Sequence, residues 1–126
     1  MARKHVFCIN GSSAFLDVVR ELLEDESYNV TTTNFVPLTY DQIAVLKPDL
    51  LIVDVVVGIQ AGWDLLEHLR NEMTTRGIPL IVTSTSQLLL NRAEELAQPN
   101  GQKLYLVMPF DIDAMLKMVD NLIGPA

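Results

Sequence analysis

Pro48-Asp49-Leu50-Leu51-Ile52-Val53-Asp54-Val55 decides how the rest of the chain is read. A proline and an aspartate open the stretch, four apolar residues follow without a break, and a carboxylate stands at the end. An unbroken Leu/Ile/Val run of this length between turn-forming residues predicts a strand buried on both faces. Such strands belong to parallel sheets covered by helices on both sides. In open sheets of that kind the functional crevice lies just beyond the carboxyl ends of the strands. Asp54 occupies that end and is therefore the first candidate functional residue.

Upstream, Val6 to Ile9 form a short apolar run leading into the polar turn Asn10-Gly11-Ser12-Ser13, where Ser12 or Ser13 can cap a helix. In that helix Phe15, Leu16, Val18, Val19, Leu22 and Leu23 share one side, and Asp17, Arg20, Glu21 and Glu24 the other. Tyr28 to Thr33 are rich in β-formers and predict the second strand. A short helix from about Thr39 to Leu46, with Ile43 and Leu46 inward, closes before Pro48. Downstream, a loop bracketed by Gly58 and Gly62 leads to a helix from Trp63 to Met73, with Leu65, Leu66 and Leu69 toward the sheet. Gly77 to Val82 predict the fourth strand, ending in Thr83-Ser84-Thr85-Ser86. A helix from about Gln87 to Ala97 turns Leu89, Ala93, Leu96 and Ala97 inward, with Leu90 at the edge of that face and Leu88 pointing off it. Leu104 to Val107 predict the fifth strand. Asp111 caps a last helix whose Ile112, Met115, Leu116, Val119, Leu122 and Ile123 keep 3–4 spacing until Gly124 and Pro125 stop it.

Five strands thus alternate with five helices. Strict alternation implies right-handed crossovers and a parallel sheet between helical layers. The expected fold is a flavodoxin-like, doubly wound (βα)5 three-layer α/β/α domain over residues 1–126, with strand order 2-1-3-4-5. That order sets the first and third strands side by side, so the Asn10-Gly11 turn should adjoin Asp54. The formal charge of −7 and the lack of any Lys/Arg cluster argue against a nucleic-acid surface. No apolar run approaches the ~20 residues of a membrane helix, and the N-terminus carries no leader pattern. Cys8, a lone cysteine with apolar neighbours, reads as a buried thiol in a reducing cytoplasm. His5 and His68 have no metal-ligand company and read as solvated. With no nucleophile–base pair and no metal cluster in view, the chain does not read as an enzyme.

At this point the chain resembles a response-regulator receiver domain, the phosphoacceptor module of two-component signalling, over nearly its whole length. Three segments carry the resemblance: Lys47-Pro48-Asp49-Leu50-Leu51-Ile52-Val53-Asp54, Gly62 followed by the helix with Leu65, Leu66 and Leu69, and Leu104-Tyr105-Leu106-Val107-Met108-Pro109-Phe110-Asp111. The resemblance implies an acceptor aspartate at Asp54, phosphorylated by a histidine kinase. It also implies an acidic pair after the first strand that holds Mg²⁺ together with the acceptor. A lysine after the fifth strand, a hydroxyl after the fourth and an aromatic switch on the fifth complete the family's set. Carried onto this chain, the hydroxyl is Ser84 and the aromatic is Tyr105, although Ser84 also suits a helix cap and Tyr105 plain packing. The acidic pair falls on Asn10 and Gly11, and the lysine on Met108, next to Pro109.

Three polar positions of the family pattern have therefore lost the group the reaction uses. Mg²⁺ dehydrates reluctantly and binds mainly through carboxylates. At an effective dielectric near 20, a unit charge ~4 Å away is worth roughly 4 kcal/mol. A third of that per lost carboxylate weakens metal binding by about an order of magnitude each. Asn10, Gly11 and Met108 read as one linked change, because losing the acidic pair and the lysine together leaves the local charge nearer balance. The expected function is that of an atypical, stand-alone receiver module with no cofactor and Mg²⁺ bound weakly at most. Its output would pass through a protein partner: a histidine kinase, a phosphotransfer protein or a downstream effector. Leu88 marks the face formed by the fourth helix, fifth strand and fifth helix as an interaction surface, including for a homodimer. Two alternatives stay open: a working phosphoacceptor at Asp54, and a flavodoxin-like small-ligand binder. The second has only a faint phosphate-loop signal in Asn10-Gly11-Ser12-Ser13.

Overall fold

Leu50, Leu51, Ile52 and Val53 are each no more than 1% exposed, so the deciding stretch is a central strand covered on both faces. The structure, a computed structural model, describes residues 3–34, 39–55, 60–95, 103–107 and 111–125. Its elements run β1 (His5–Ile9), α1 (Ser13–Asp25), β2 (Asn29–Thr33), α2 (Thr39–Leu46), β3 (Leu50–Asp54), α3 (Gln60–Asn71), β4 (Leu80–Ser84), α4 (Gln87–Glu95), β5 (Lys103–Val107) and α5 (Ile112–Ile123). The strands form one parallel sheet in the order β2-β1-β3-β4-β5. This is the flavodoxin-like topology expected from the alternation.

Strand alternation divides the core into two layers. Val6, Cys8, Leu50, Ile52 and Ile81 pack beneath Leu16, Val19 and Leu23 of α1 and Met115 and Val119 of α5. On the opposite face, Phe7, Ile9, Leu51, Val53 and Val82 pack beneath Ile43 of α2, Leu65 and Leu69 of α3, and Leu90 and Ala93 of α4. Local chemistry closes the helix ends as expected. Ser12 Oγ accepts the Phe15 N–H at the start of α1, and the Asp111 carboxylate accepts the Asp113 N–H at the start of α5. Gly124 ends α5 at φ +75°, a conformation suited to glycine, and its N–H returns to Asp120 O at 2.7 Å. The Tyr28 hydroxyl and the Lys4 ammonium donate to the carbonyls of Gly124 and Ile123, tying the end of α5 to β1 and β2.

Several local expectations need correction. Val18 is 51% exposed and Leu46 45% exposed, rather than inward-facing. The buried stripe of α1 is the narrower Leu16-Val19-Leu23 set, and Val18 lies on its flank. Leu46 is the last residue of α2, where Lys47 turns away at φ 48°. On α4 the inward residue is Leu90, with Leu89 half-buried at the edge, because the Ser84–Ser86 turn sets the phase at which the helix leaves β4. Strand β4 spans Leu80–Ser84 rather than Gly77 to Val82, and α3 begins at Gln60 rather than Trp63. His5 is half-buried rather than freely solvated. It lies in β1, where Nε2 shares a 2.7 Å hydrogen bond with Thr31 Oγ1 and the backbone N–H donates to Asp49 Oδ2. Burial lowers its pKa, with Asp49 acting in the other direction. His68 keeps an exposed edge, yet its ring stacks on Tyr40 at 3.6 Å and joins α3 to α2.

Candidate functional site

Setting β1 beside β3 brings the turn after β1 next to the end of β3, as the strand order requires. Asn10 is 5% exposed there. Its backbone N–H donates to Thr33 O, and its side-chain Oδ1 accepts the Ser12 N–H at 2.8 Å. That bond makes the asparagine a local turn-former, a common role for this residue type. Gly11 is exposed, and a Cβ built on it would meet nothing within 4 Å. The position offers room for a side chain but has none.

Asp54 ends β3 and is 7% exposed. Its register partner on β4 is Thr83, which is fully buried. The Thr83 hydroxyl donates to Asp54 Oδ1 at 2.7 Å, and one rung further along Val55 N–H donates to Thr83 O at 2.9 Å. Burial pushes the Asp54 carboxyl pKa above its ordinary value, and the Thr83 hydrogen bond acts against that shift. Cys8 lies on the same face of the sheet. Burial, assisted by the charge of Asp54, pushes its thiol up to about 12. It is therefore a protonated core residue rather than a nucleophile.

Ser84 is also fully buried and, being the next residue along β4, falls on the opposite face from Thr83. Its Oγ accepts the Ser86 N–H at 3.1 Å. The α4 cap itself is Ser86, whose Oγ accepts from Leu89 and whose carbonyl accepts from Leu90. Tyr105 stands opposite Val82 on β5. Its side chain, together with Met108 and Pro109, lies outside the described residues. Leu88 is 80% exposed on α4. Trp63 packs partly into the core, with the Arg92 guanidinium 5.3 Å from its ring centroid.

Asn10, Gly11 and Asp54 thus come together, and Ser84 sits at the same end of the sheet behind the strand. Thr83 is the contact that reading the chain as separate segments overlooks. The available signal was a polar residue continuing the inward side of β4 after Ile81, but using it requires the register between β3 and β4. Neither position in the turn after β1 bears a carboxylate. Among the described residues no group of three or more His, Cys, Asp or Glu side chains converges, and no helix is long and apolar enough to cross a membrane.

The chain spans 94% of its own length against the probable transcriptional regulator ycf29 of Porphyra purpurea, at 25% identity over 119 residues, but only 56% of that protein's length. Against the polar-differentiation response regulator DivK of Brucella anthropi the identity is 20% over 123 residues, and 98% of each chain is covered. Among solved structures, the Vibrio cholerae chemotaxis protein CheY4 superposes with a TM-score of 0.79 at 20% identity, covering 96% of this chain and 99% of the other. The receiver domain of the sensor histidine kinase PA1611 from Pseudomonas aeruginosa superposes with a TM-score of 0.74 at 19% identity, covering 98% and 99%. That domain has a magnesium ion coordinated in its active-site cleft. Residues 6–120 match the family model of the response regulator receiver domain. A model matched from the first strand to the last helix, on a sheet of this order with an aspartate at the end of β3, establishes that the chain belongs to the response-regulator receiver domains of two-component signalling.

Proposed function

We propose that this receiver domain works as a protein-interaction module in which Mg²⁺-dependent phosphoryl transfer to Asp54 is impaired. One observation carries the reading. In the turn where the family's acidic pair would stand, Asn10 commits its Oδ1 to the Ser12 N–H and Gly11 contributes no side chain. A divalent ion arriving beside Asp54 would meet one buried carboxylate, a neutral amide and backbone, a donor set that does not fit a metal bound through carboxylates. Met108 stands in the chain where the family carries its lysine, so the cation that would accompany a phosphoryl group is missing as well.

Output on this reading passes through a protein partner, whether a histidine kinase, a phosphotransfer protein or a downstream effector. The exposed Leu88 on α4 supports that face as a docking or homodimer surface. The buried Cys8 thiol, with no second cysteine to pair with, is consistent with a cytoplasmic setting.

The test is a titration of ¹⁵N-labelled protein with Mg²⁺ and then beryllofluoride, following the amides of Asp54, Ser84 and Tyr105. The expected result is no saturable response up to tens of millimolar Mg²⁺. Shifts at all three sites that saturate at low-millimolar Mg²⁺, and that vanish in Asp54→Asn, would establish a working phosphoacceptor instead.

A further inference from the structure

The geometry points to Thr83 as a lock on Asp54: its hydroxyl holds Oδ1 from within the sheet and withholds the carboxylate from a cation or a phosphoryl group. This inference rests on the reading of Asp54 as an impaired acceptor. It adds a second cause of the impairment, separate from Asn10 and Gly11.

Asp54 and Thr83 are paired residues of adjacent strands, so their side chains leave the sheet side by side on the face covered by α1 and α5. Thr83 is β-branched, which restricts its χ1, and it has no exposed surface. Its Oγ1 lies 2.7 Å from Asp54 Oδ1, a length appropriate to a hydroxyl bonded to a charged carboxylate. The bond from Val55 N–H to Thr83 O holds the two strands in step, so the pair cannot slide out of reach. A buried carboxylate is costly unless a donor faces it, and Thr83 supplies one from inside the protein.

That donor has a consequence for ligands. A carboxylate that accepts a phosphoryl group uses one oxygen for the new bond and offers the other to a cation. The Thr83 hydroxyl donates into one lone pair of Oδ1 and holds the carboxylate plane, so a ligand approaching that oxygen competes with an internal donor for its electron density. Thr83 acts here as a positioning residue: it touches the acceptor and would not touch the incoming group.

The test compares Mg²⁺ and beryllofluoride binding, read from backbone amides, in the Asn10→Asp/Gly11→Asp variant with and without Thr83→Val. Gly11 is exposed with open space around its missing Cβ, and aspartate is isosteric with Asn10 and keeps the Oδ1 acceptor for the Ser12 N–H. Adding Thr83→Val is expected to tighten Mg²⁺ binding by about tenfold, the scale of one hydrogen bond to a charged group, and to permit the beryllofluoride response. Thr83→Ser in the same background is expected to behave like the acidic-pair variant alone, because a serine hydroxyl keeps the bond. Unchanged Mg²⁺ affinity on adding Thr83→Val would overturn the lock. Failure of the parent reading would show differently, as low-millimolar Mg²⁺ saturation in the unmodified chain.

A second measurement needs no valine variant. In the unmodified protein the Thr83 hydroxyl proton is expected to exchange slowly with water and to lose that protection in Asp54→Ala. A hydroxyl exchanging at the rate of a solvated threonine would refute the contact.

Discussion

The Asp54 carboxylate is pulled in two directions. Burial at the end of β3 disfavours its charge, and the Thr83 hydroxyl bond favours it, with burial the larger effect. The folded chain therefore binds the Asp54 proton more tightly than the unfolded chain does. Stability linked to this group is fully present below the ordinary aspartate value of 3.8 and falls as pH rises through the raised folded value. At neutral pH the charge is carried at a cost. Asp54→Asn, which keeps an acceptor for Thr83, is expected to raise Tm at pH 7, and the gain should shrink to nothing as the pH drops below 3.8. A lowered Tm at neutral pH would show that the Thr83 bond outweighs burial. At this scale the chain was legible where chemistry is local. The end-of-strand carboxylate and the absence of an acidic pair in Asn10-Gly11 can be read directly. Thr83 could not be read the same way, because its partner lies 29 residues away across a strand pair.

Helix α4 shows what an element owes to its surroundings. Its apolar residues Leu88, Leu89 and Leu90 are consecutive, so a wheel alone leaves its rotation ambiguous by about one residue. The Ser84–Ser86 turn resolves it by setting Ser86 as the cap of the helix, which places Leu90 at 2% exposure and Leu88 at 80%. Leu90→Ala should cost about 2–5 kcal/mol, as for a fully buried leucine. Leu89→Ala should cost clearly less. Urea unfolding with an unchanged m-value checks the order, and a reversed order would mean the helix sits one residue out of phase. The caps of α5, and that of α1 to within one residue, were legible for the opposite reason. Asp111, Gly124 and the Ser12–Ser13 pair act on backbone groups within four residues, and the structure selects Ser12.

The whole molecule carries a formal charge of −7 with its histidines counted neutral, and the described Arg20–Glu24 ion pair is a 3.8 Å contact between half-exposed side chains. A pair of that kind contributes little to stability, while a net charge of this size repels itself in the compact state. Added NaCl screens that repulsion. Tm at neutral pH is expected to rise as ionic strength increases from about 10 mM to about 150 mM, over which the Debye length shortens from ~30 to ~8 Å. A fall would mean that the surface pairs outweigh the repulsion. Stability in this picture comes mainly from the two apolar layers on either side of the sheet, which hold all of the largest fully buried side chains among the described residues.

Residue type and short-range spacing were enough for the βα alternation, the double burial of β3, the ends of α5 and the unusual residues of the turn after β1. Each of these depends on residue type and on spacing within a few positions, where backbone hydrogen bonding and apolar periodicity act. Long-range packing was needed to show that Thr83 meets Asp54, that Leu90 rather than Leu89 faces the core, that Val18 and Leu46 stay exposed, and that His5 is held by Thr31 and Asp49. Those outcomes depend on which strand lies alongside which, in what register, and at what phase each helix leaves its strand. Such choices are made by contacts between residues far apart in the chain, and they enter only when the sheet is assembled.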